Sequence, residues 1–171
     1  MRATIFAVVL LATSANAQRS RYNSPQADAA VTIAGKKITV DYYAPSAHGR
    51  KVMGALVPYG QVWCTGANWA TKITTESDLQ MGGLKLPAGS YSIWTVPNEK
   101  EWTLIINRET GQFHLNYDQS QDFGRTKMEL KTLAAPVETF QVQLKSEGGN
   151  KGRLALVWEN TEASVPITVL H

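Results

Sequence analysis

The side chains best suited to bind or react with another molecule lie in one irregular segment, residues 44–71. Four glycines interrupt it: Gly49, Gly54, Gly60 and Gly66. Five of its side chains carry binding chemistry: His48, Arg50, Tyr59, Trp63 and Asn68. Arginine offers a rigid fork of N–H donors, histidine exchanges protons near neutral pH, and asparagine both donates and accepts hydrogen bonds. Binding and catalytic residues are commonly found on such loops, so we expect this segment to form the functional surface.

Catalysis has less support in the sequence than binding. His48 could act as a general base, which makes a hydrolase the alternative function. No Gly-x-Ser-x-Gly motif occurs, although a spatial triad of Ser46, His48 and Asp122 stays open, because triads are defined by geometry. The sequence therefore favours a non-enzymatic role and identifies no catalytic residue.

No metal ion or cofactor is expected. The three histidines, at positions 48, 114 and 171, are isolated, and Cys64 is the only cysteine. Residues 116–124 space their oxygen atoms like a calcium loop, but Gln121 and Lys127 stand where an EF-hand requires a glycine and a carboxylate. We expect a hydrogen-bonded turn there, and a buried Cys64 that behaves as a small apolar side chain.

The first residues predict export. Arg2 precedes an apolar run at residues 3–12, and Ala15-Asn16-Ala17 is typical of a signal-peptidase site. Residues 1–17 are therefore predicted to be a signal peptide, and residues 18–171 one mature domain. The apolar run is too short to span a bilayer, so no membrane span is expected. Removing Arg2 from the 17 basic residues leaves 16 against 14 acidic ones, without the concentrated basic patch that nucleic-acid binding requires.

The elements that must position the segment are predicted to be short β-strands. Alternating apolar residues and bounding turn formers predict strands at residues 29–33, 36–43, 71–75, 78–81, 84–86, 90–96, 102–107, 126–133, 138–145, 154–159 and 165–169. A hairpin is predicted around Gly82-Gly83. Trp94 and Trp158 lie on alternating strands and are expected in the core. The pattern predicts an all-β, single-domain antiparallel sandwich, with a barrel as the second choice and residues 44–71 as a long glycine-rich loop.

Several motifs, taken in order, resemble the bacterial exported domain-of-unknown-function family 2911. They are Ser24-Pro25, Tyr43-Ala44-Pro45, Gly49-Arg50, residues 57–63, residues 65–68, Ala70-Thr71, residues 86–91, Pro97, Glu101-Trp102, Asn107 and Trp158-Glu159. The resemblance implies an exported, mostly β domain and brings no activity, substrate or catalytic residue. Cys64 stands where this family usually has arginine, which makes Cys64 a poor candidate for a nucleophile.

These observations predict an exported domain that binds a small ligand, a glycan or an envelope partner through residues 44–71. A structural envelope module without a ligand is the third possibility, after the hydrolase. The expected location is the periplasm if the host has an outer membrane, and otherwise the medium. The oligomeric state and the identity of the ligand stay open.

Overall fold

The computed structural model describes residues 24–170, and their regular structure is almost entirely β-strand. The strands are β1 (Gln26–Ile33), β2 (Lys36–Tyr43), β3 (Thr71–Thr75), β4 (Leu79–Met81), β5 (Leu84–Leu86), β6 (Gly89–Val96), β7 (Trp102–Asn107), β8 (Asp122–Gly148) and β9 (Lys151–Val169). A 3-10 turn at Gln119–Gln121 precedes β8. The predicted signal peptide, residues 1–17, lies outside the described residues.

These strands form one antiparallel sheet in the order β1-β2-β3-β6-β7-β8-β9-β4-β5. Strand β8 joins the two halves of the sheet, because its first residues pair with β7 and the remainder pairs with β9. The halves approach each other so closely that a Cβ atom on Gly152 of β9 would collide with the side chain of Ile33 in β1. The predicted antiparallel sandwich is confirmed, and the sheet does not close into a barrel.

Alternation of apolar and polar residues determines which face of each strand is buried. In β2, Ile38 and Val40 are fully buried and Tyr42 nearly so, whereas the residues between them are partly exposed. Successive side chains of a strand point to opposite faces, so this alternation directs one row into the core. Trp94 and Trp158 are also buried, as predicted.

The C-terminal half differs from the prediction of four short strands. Residues 126–133 and 138–145 belong to β8, and residues 154–159 and 165–169 belong to β9. Register shifts between Thr132 and Val137, and again between Val137 and Gln141, let β8 remain paired with β9 across Pro136. Proline within a sheet is tolerated at such irregularities, so Pro136 interrupts the ladder without ending the strand.

Within residues 24–170, no helix has the length and apolarity needed to cross a membrane.

Candidate functional site

The glycine-rich segment is tied to β8 at its beginning. The Phe140 N–H donates to the Pro45 carbonyl at 2.8 Å, and the Ala47 N–H donates to the Glu138 carbonyl at 2.9 Å. The Ser46 and Thr139 hydroxyls share a hydrogen bond of 2.7 Å. These contacts continue the sheet locally, so the segment leaves β2 along a fixed path.

Two carboxylates hold the next part of the segment by its main chain. Oε1 of Glu138 accepts the His48 N–H at 2.6 Å. The two oxygens of Glu159 accept the N–H groups of Val52 and Met53 at 2.8 and 2.9 Å. Because Val52 and Met53 are buried, their N–H groups would otherwise have no solvent to bond with. This role accounts for the acidic residue in the Trp158-Glu159 motif.

Trp63 anchors the middle of the segment in the core. Its main chain exchanges two hydrogen bonds with Thr95 of β6, at 2.8 and 2.9 Å. Its ring stacks on Trp158 with the centroids 5.9 Å apart and meets Trp102 and Phe140 edge to face. Such aromatic pairs contribute about 0.5–1.5 kcal/mol each beyond their buried area. The half-buried Trp63 is therefore first a structural residue, although part of it remains accessible.

A cleft of about 450 Å³ lies beside this segment. That volume falls within the range of ordinary small-molecule sites. Its wall includes four of the five predicted residues and two others, namely His48, Arg50, Trp63, Asn68, His114 and Trp158. Among residues 24–170, no aspartate or glutamate contributes to the lining. The cleft thus combines an aromatic floor with cationic and hydrogen-bonding groups.

Arg50 is exposed, but its side chain is held in place by the loop. Its Nε donates to the Ala47 carbonyl at 2.8 Å, and its Nη2 donates to the Ser46 carbonyl at 2.9 Å. Nη1 has no hydrogen-bond acceptor among residues 24–170, and none of the ion pairs found there includes Arg50. One edge of the guanidinium therefore organises the loop, while the other makes no hydrogen bond to residues 24–170.

His48 and Asn68 face the cleft from a strained main chain. Their φ angles are 51° and 60°, in the left-handed region that few residues other than glycine adopt. Asn68 is linked to the segment that carries His114 by its carbonyl, which accepts the His114 N–H at 2.9 Å. Its Nδ2 reaches the Ser24 carbonyl only at 3.5 Å, which is a weak contact. Strain of this kind concentrates at functional sites, where the surrounding contacts impose it.

The structure does not assemble the triad that the sequence left open. Ser46 is hydrogen-bonded to Thr139, and the His48 ring makes no hydrogen bond to any described residue. Asp122 instead accepts hydrogen bonds from Tyr117, Arg125 and Asn107, in a separate cluster that does not line the cleft. The hydrolase alternative therefore has no hydrogen-bonded nucleophile and base within residues 24–170.

Tyr59 is the one predicted residue that the cleft does not include. Its ring lies over Gly54, where a Cβ atom would come within 2.7 Å of it. Gly54 has a φ of +80°, so both its backbone and the ring above it require glycine. Tyr59 therefore closes a turn of the loop.

Cys64 lines the cleft but remains 4 % exposed. Burial raises the pKa of its thiol to about 12, and the opposing hydrogen bond to Gly66 is the smaller effect. A thiol in this state is protonated at neutral pH and a poor nucleophile. The prediction of a buried, apolar Cys64 is confirmed.

Residues 116–121 form a hydrogen-bonded turn, as predicted, whereas residues 122–124 of the predicted turn already belong to β8. An Asp118 side-chain oxygen accepts the Ser120 N–H at 2.9 Å, and Asp122 forms an ion pair with Arg125. Burial and the hydrogen bond to Asp122 raise the pKa of Tyr117 to about 12. No group of three or more histidines, cysteines or acidic residues placed to hold a metal ion occurs within residues 24–170.

Sequence reasoning missed His114 and Trp158 as cleft residues. His114 lies between Phe113 and Leu115, and its segment is joined to the loop by the hydrogen bond to Asn68 and by one from the Ala70 N–H to the Gln112 carbonyl. Trp158 was expected only in the core, and it lies there at 2 % exposure while its ring also forms part of the cleft floor. No local pattern signals either contact.

Comparison with known proteins gives one result. A family model described as a protein of unknown function, DUF2911, matches residues 24–167. Neither the curated proteins nor the solved structures gave a match to this chain.

Proposed function

This chain belongs to the domain-of-unknown-function family 2911, and we propose that it is an exported, non-enzymatic protein that binds a small ligand in the cleft beside residues 44–71. The observation that carries the proposal is the convergence of Arg50, Asn68, His48 and His114 on one cavity of about 450 Å³. Small-molecule sites are typically concave and largely apolar, with a few placed polar groups.

The two tryptophans that form the floor of the cleft, Trp63 and Trp158, support binding rather than catalysis. Trp63 and Trp158 stack on each other, and their indole N–H groups donate to the carbonyls of Gly66 and Glu138. With those donors engaged, the accessible part of Trp63 offers the ligand apolar surface, while Trp158, which is 2 % exposed, mainly supports the Trp63 ring. Within residues 24–170, no base lies in hydrogen-bond contact with a nucleophile beside that surface, which favours binding over catalysis.

Export is the second part of the proposal, and the signal-peptide pattern of residues 1–17 supports it. Mass spectrometry of the protein recovered from its native host would test it. We expect a mature chain that begins at Gln18. A protein that retains Met1 and stays in the cytoplasm would contradict this part of the proposal.

The five tryptophan indoles give a direct test of the binding site. In a ¹⁵N-labelled protein screened against a library of small acids, sugars and amines, we expect a true ligand to shift the indole signals of Trp63 and Trp158. Trp94 is 1 % exposed and does not line the cleft, so its signal serves as the internal control.

A variant whose cleft is filled by a larger side chain, compared with the same substitution elsewhere, tests where the ligand binds. Ala67 lines the cleft, so Ala67→Phe should abolish these shifts, whereas Ala88→Phe, at an exposed turn away from the cleft, should leave them unchanged. Shifts that survive Ala67→Phe would show that the ligand binds elsewhere.

A glycan or a protein partner would use a different surface. Trp69 and Phe113 are 48 % and 40 % exposed and meet edge to face at 5.6 Å, next to Asn68 and His114. Shifts confined to the Trp69 indole would favour contact at that aromatic pair and would contradict binding in the cleft.

A further inference from the structure

The guanidinium of Arg50 has one edge engaged and one edge free. Nε and Nη2 donate one N–H each to the Ala47 and Ser46 carbonyls. Of the five N–H groups of an arginine, three then remain, and two of them, one on Nη1 and one on Nη2, form the parallel pair at the far end. Two parallel N–H groups in that fork match the two oxygens of a carboxylate. The hydrogen bonds to the loop restrict the side chain before any ligand arrives, which lowers the entropic cost of binding.

The neighbouring carboxylates do not occupy this fork. Glu138 and Glu159 are the acidic residues that contact the segment, and their oxygens accept main-chain N–H groups of His48, Val52 and Met53. Neither carboxylate lines the cleft. Arg50 is therefore a cation at the cleft wall without an anionic partner in residues 24–170.

The remaining polar groups complement an acceptor-rich ligand. The indole donors of Trp63 and Trp158 are already used, and the Nδ2 group of Asn68 makes only a weak contact of 3.5 Å to Ser24. Asn68 can therefore turn its amide N–H toward a second acceptor. A neutral sugar, whose hydroxyl groups also need acceptors, would find no acidic residue in the part of the lining that residues 24–170 contribute.

The size and the floor of the cleft define the rest of the ligand. At about 30 Å³ for a water-sized group, a cavity of 450 Å³ accommodates on the order of 15 non-hydrogen atoms. The stacked rings of Trp63 and Trp158 favour an apolar or aromatic body. Phosphate is less suited, because the part of the lining contributed by residues 24–170 contains one arginine and no lysine to balance a dianion.

We propose that the cleft binds a small organic carboxylate, with the carboxylate on the free fork of Arg50 and an apolar body against Trp63 and Trp158. This inference rests on the proposed binding function of the cleft and adds the chemical class of its ligand. Asn68 supplies the second directional contact.

Phenylacetate and phenylacetamide have nearly the same shape and differ in charge, and phenyl phosphate is the third probe, with a tetrahedral phosphate on the same ring. Titration of the wild-type protein, followed by the Trp63 indole signal, should give an affinity for phenylacetate at least tenfold higher than for the neutral amide. That preference should weaken as salt is raised from 20 to 500 mM, since salt screens a partly exposed charge.

Substitutions at Arg50 assign the preference to one side chain. In Arg50→Gln, binding of phenylacetate should fall at least tenfold while binding of phenylacetamide changes less than twofold. Arg50→Lys keeps the charge but lacks the fork, so we expect an intermediate loss. Arg108→Gln is the matched control, since Arg108 also donates to a main-chain carbonyl but does not line the cleft.

The possible failures are distinguishable. If phenylacetamide shifts the Trp63 signal as strongly as phenylacetate, the carboxylate inference is wrong while the cleft remains a binding site. Tighter binding of phenyl phosphate would replace the carboxylate with a phosphate ligand. If no probe shifts Trp63 or Trp158, the inference fails, and the library screen with the Ala67→Phe variant decides the proposed function separately. Should Arg50→Gln not fold, the wild-type preference and its salt dependence still decide the outcome.

Discussion

Glu159 holds Val52 across 107 residues of chain, by a hydrogen bond of 2.8 Å from the Val52 main-chain N–H to Oε1. The other oxygen accepts the N–H of the next residue, Met53. One carboxylate of β9 thus fixes the turn that carries the loop past the cleft. Glu159 itself has a φ of 48°, so the sheet tolerates a strained residue at the position that makes this contact.

Removal of the Glu159 carboxylate should destabilise the protein. Glu159→Ala leaves two buried N–H groups without acceptors, and we expect a loss of about 2–4 kcal/mol in the free energy of unfolding. Glu159→Gln keeps one acceptor oxygen and should lose about half as much. Glu101→Ala, which removes an exposed ion pair with Lys127, should cost less than about 1 kcal/mol and is the control. Urea unfolding measures all three, and equal losses for Glu159→Ala and Glu101→Ala would contradict the role of Glu159.

Gly54 and Gly111 share a φ of +80°, which allows the contact with Tyr59 to be isolated. Gly111 has nothing within 4 Å of a built Cβ atom, so Gly111→Ala should cost only the strain of a left-handed residue, about 1–2 kcal/mol. Gly54→Ala also displaces the Tyr59 ring and should cost about 1 kcal/mol more.

The double variant Gly54→Ala, Tyr59→Ala tests the cause of that extra cost. If the Tyr59 ring is responsible, the two substitutions should be less destabilising together than the sum of their separate effects in urea unfolding. Strict additivity would show that Tyr59 does not pack on Gly54 in solution.

The sequence predicts strands well where alternation is interrupted by true turns. The bounds of β2, β3, β5 and β7 agree with the prediction. Gly35 precedes β2, Gly83 and Pro87 border β5, and buried side chains alternate with partly exposed ones along β3. Pro136 and its neighbours also predicted a turn, but they lie inside β8, where the strand stays paired with β9 through a change of register. Only the pairing partner distinguishes a bulge from a turn, and that partner is remote in sequence.

The candidate site was likewise predicted only in part from the sequence. His48, Arg50, Trp63 and Asn68 were found by residue type within one loop, and the structure gathers them around one cleft. Tyr59 is equally suited to binding by residue type, but its ring packs on Gly54, five residues earlier. His114 enters the site through a hydrogen bond to the Asn68 carbonyl that no local pattern encodes.

Asn68 allows strain and function to be separated. Its φ of 60° suits glycine, so Asn68→Gly should change the free energy of unfolding by less than about 0.5 kcal/mol, while Asn68→Ala should cost about 1 kcal/mol. Both variants lose the side-chain amide and should bind phenylacetate more weakly than the wild type, by a similar factor. Unchanged binding by a stable Asn68→Gly protein would show that Asn68 serves the backbone alone.

Cys64 should report the integrity of the cleft wall through its reactivity. Because burial keeps the thiol protonated, the native protein should react with an aromatic disulfide reagent at pH 8 far more slowly than a free thiol. In denaturant, Cys64 should react fully within minutes, as the only cysteine of the chain. Rapid modification of the native protein would contradict the buried position.

The same thiol predicts how stability changes at alkaline pH. The pKa of Cys64 is about 12 in the folded protein and about 8.5 in an unfolded chain, so the unfolded state loses its proton first. The stabilising contribution is therefore complete below about pH 8.5 and is lost as the pH rises toward 12, by at most about 1.4 kcal/mol per pH unit. Tyr117 titrates in the upper part of this range, with its pKa raised to about 12, and it is retained in Cys64→Ala. The difference in unfolding free energy between wild type and Cys64→Ala should consequently change steadily from pH 9 to pH 11, to the disadvantage of the wild type, and a constant difference would show that the thiol is solvated.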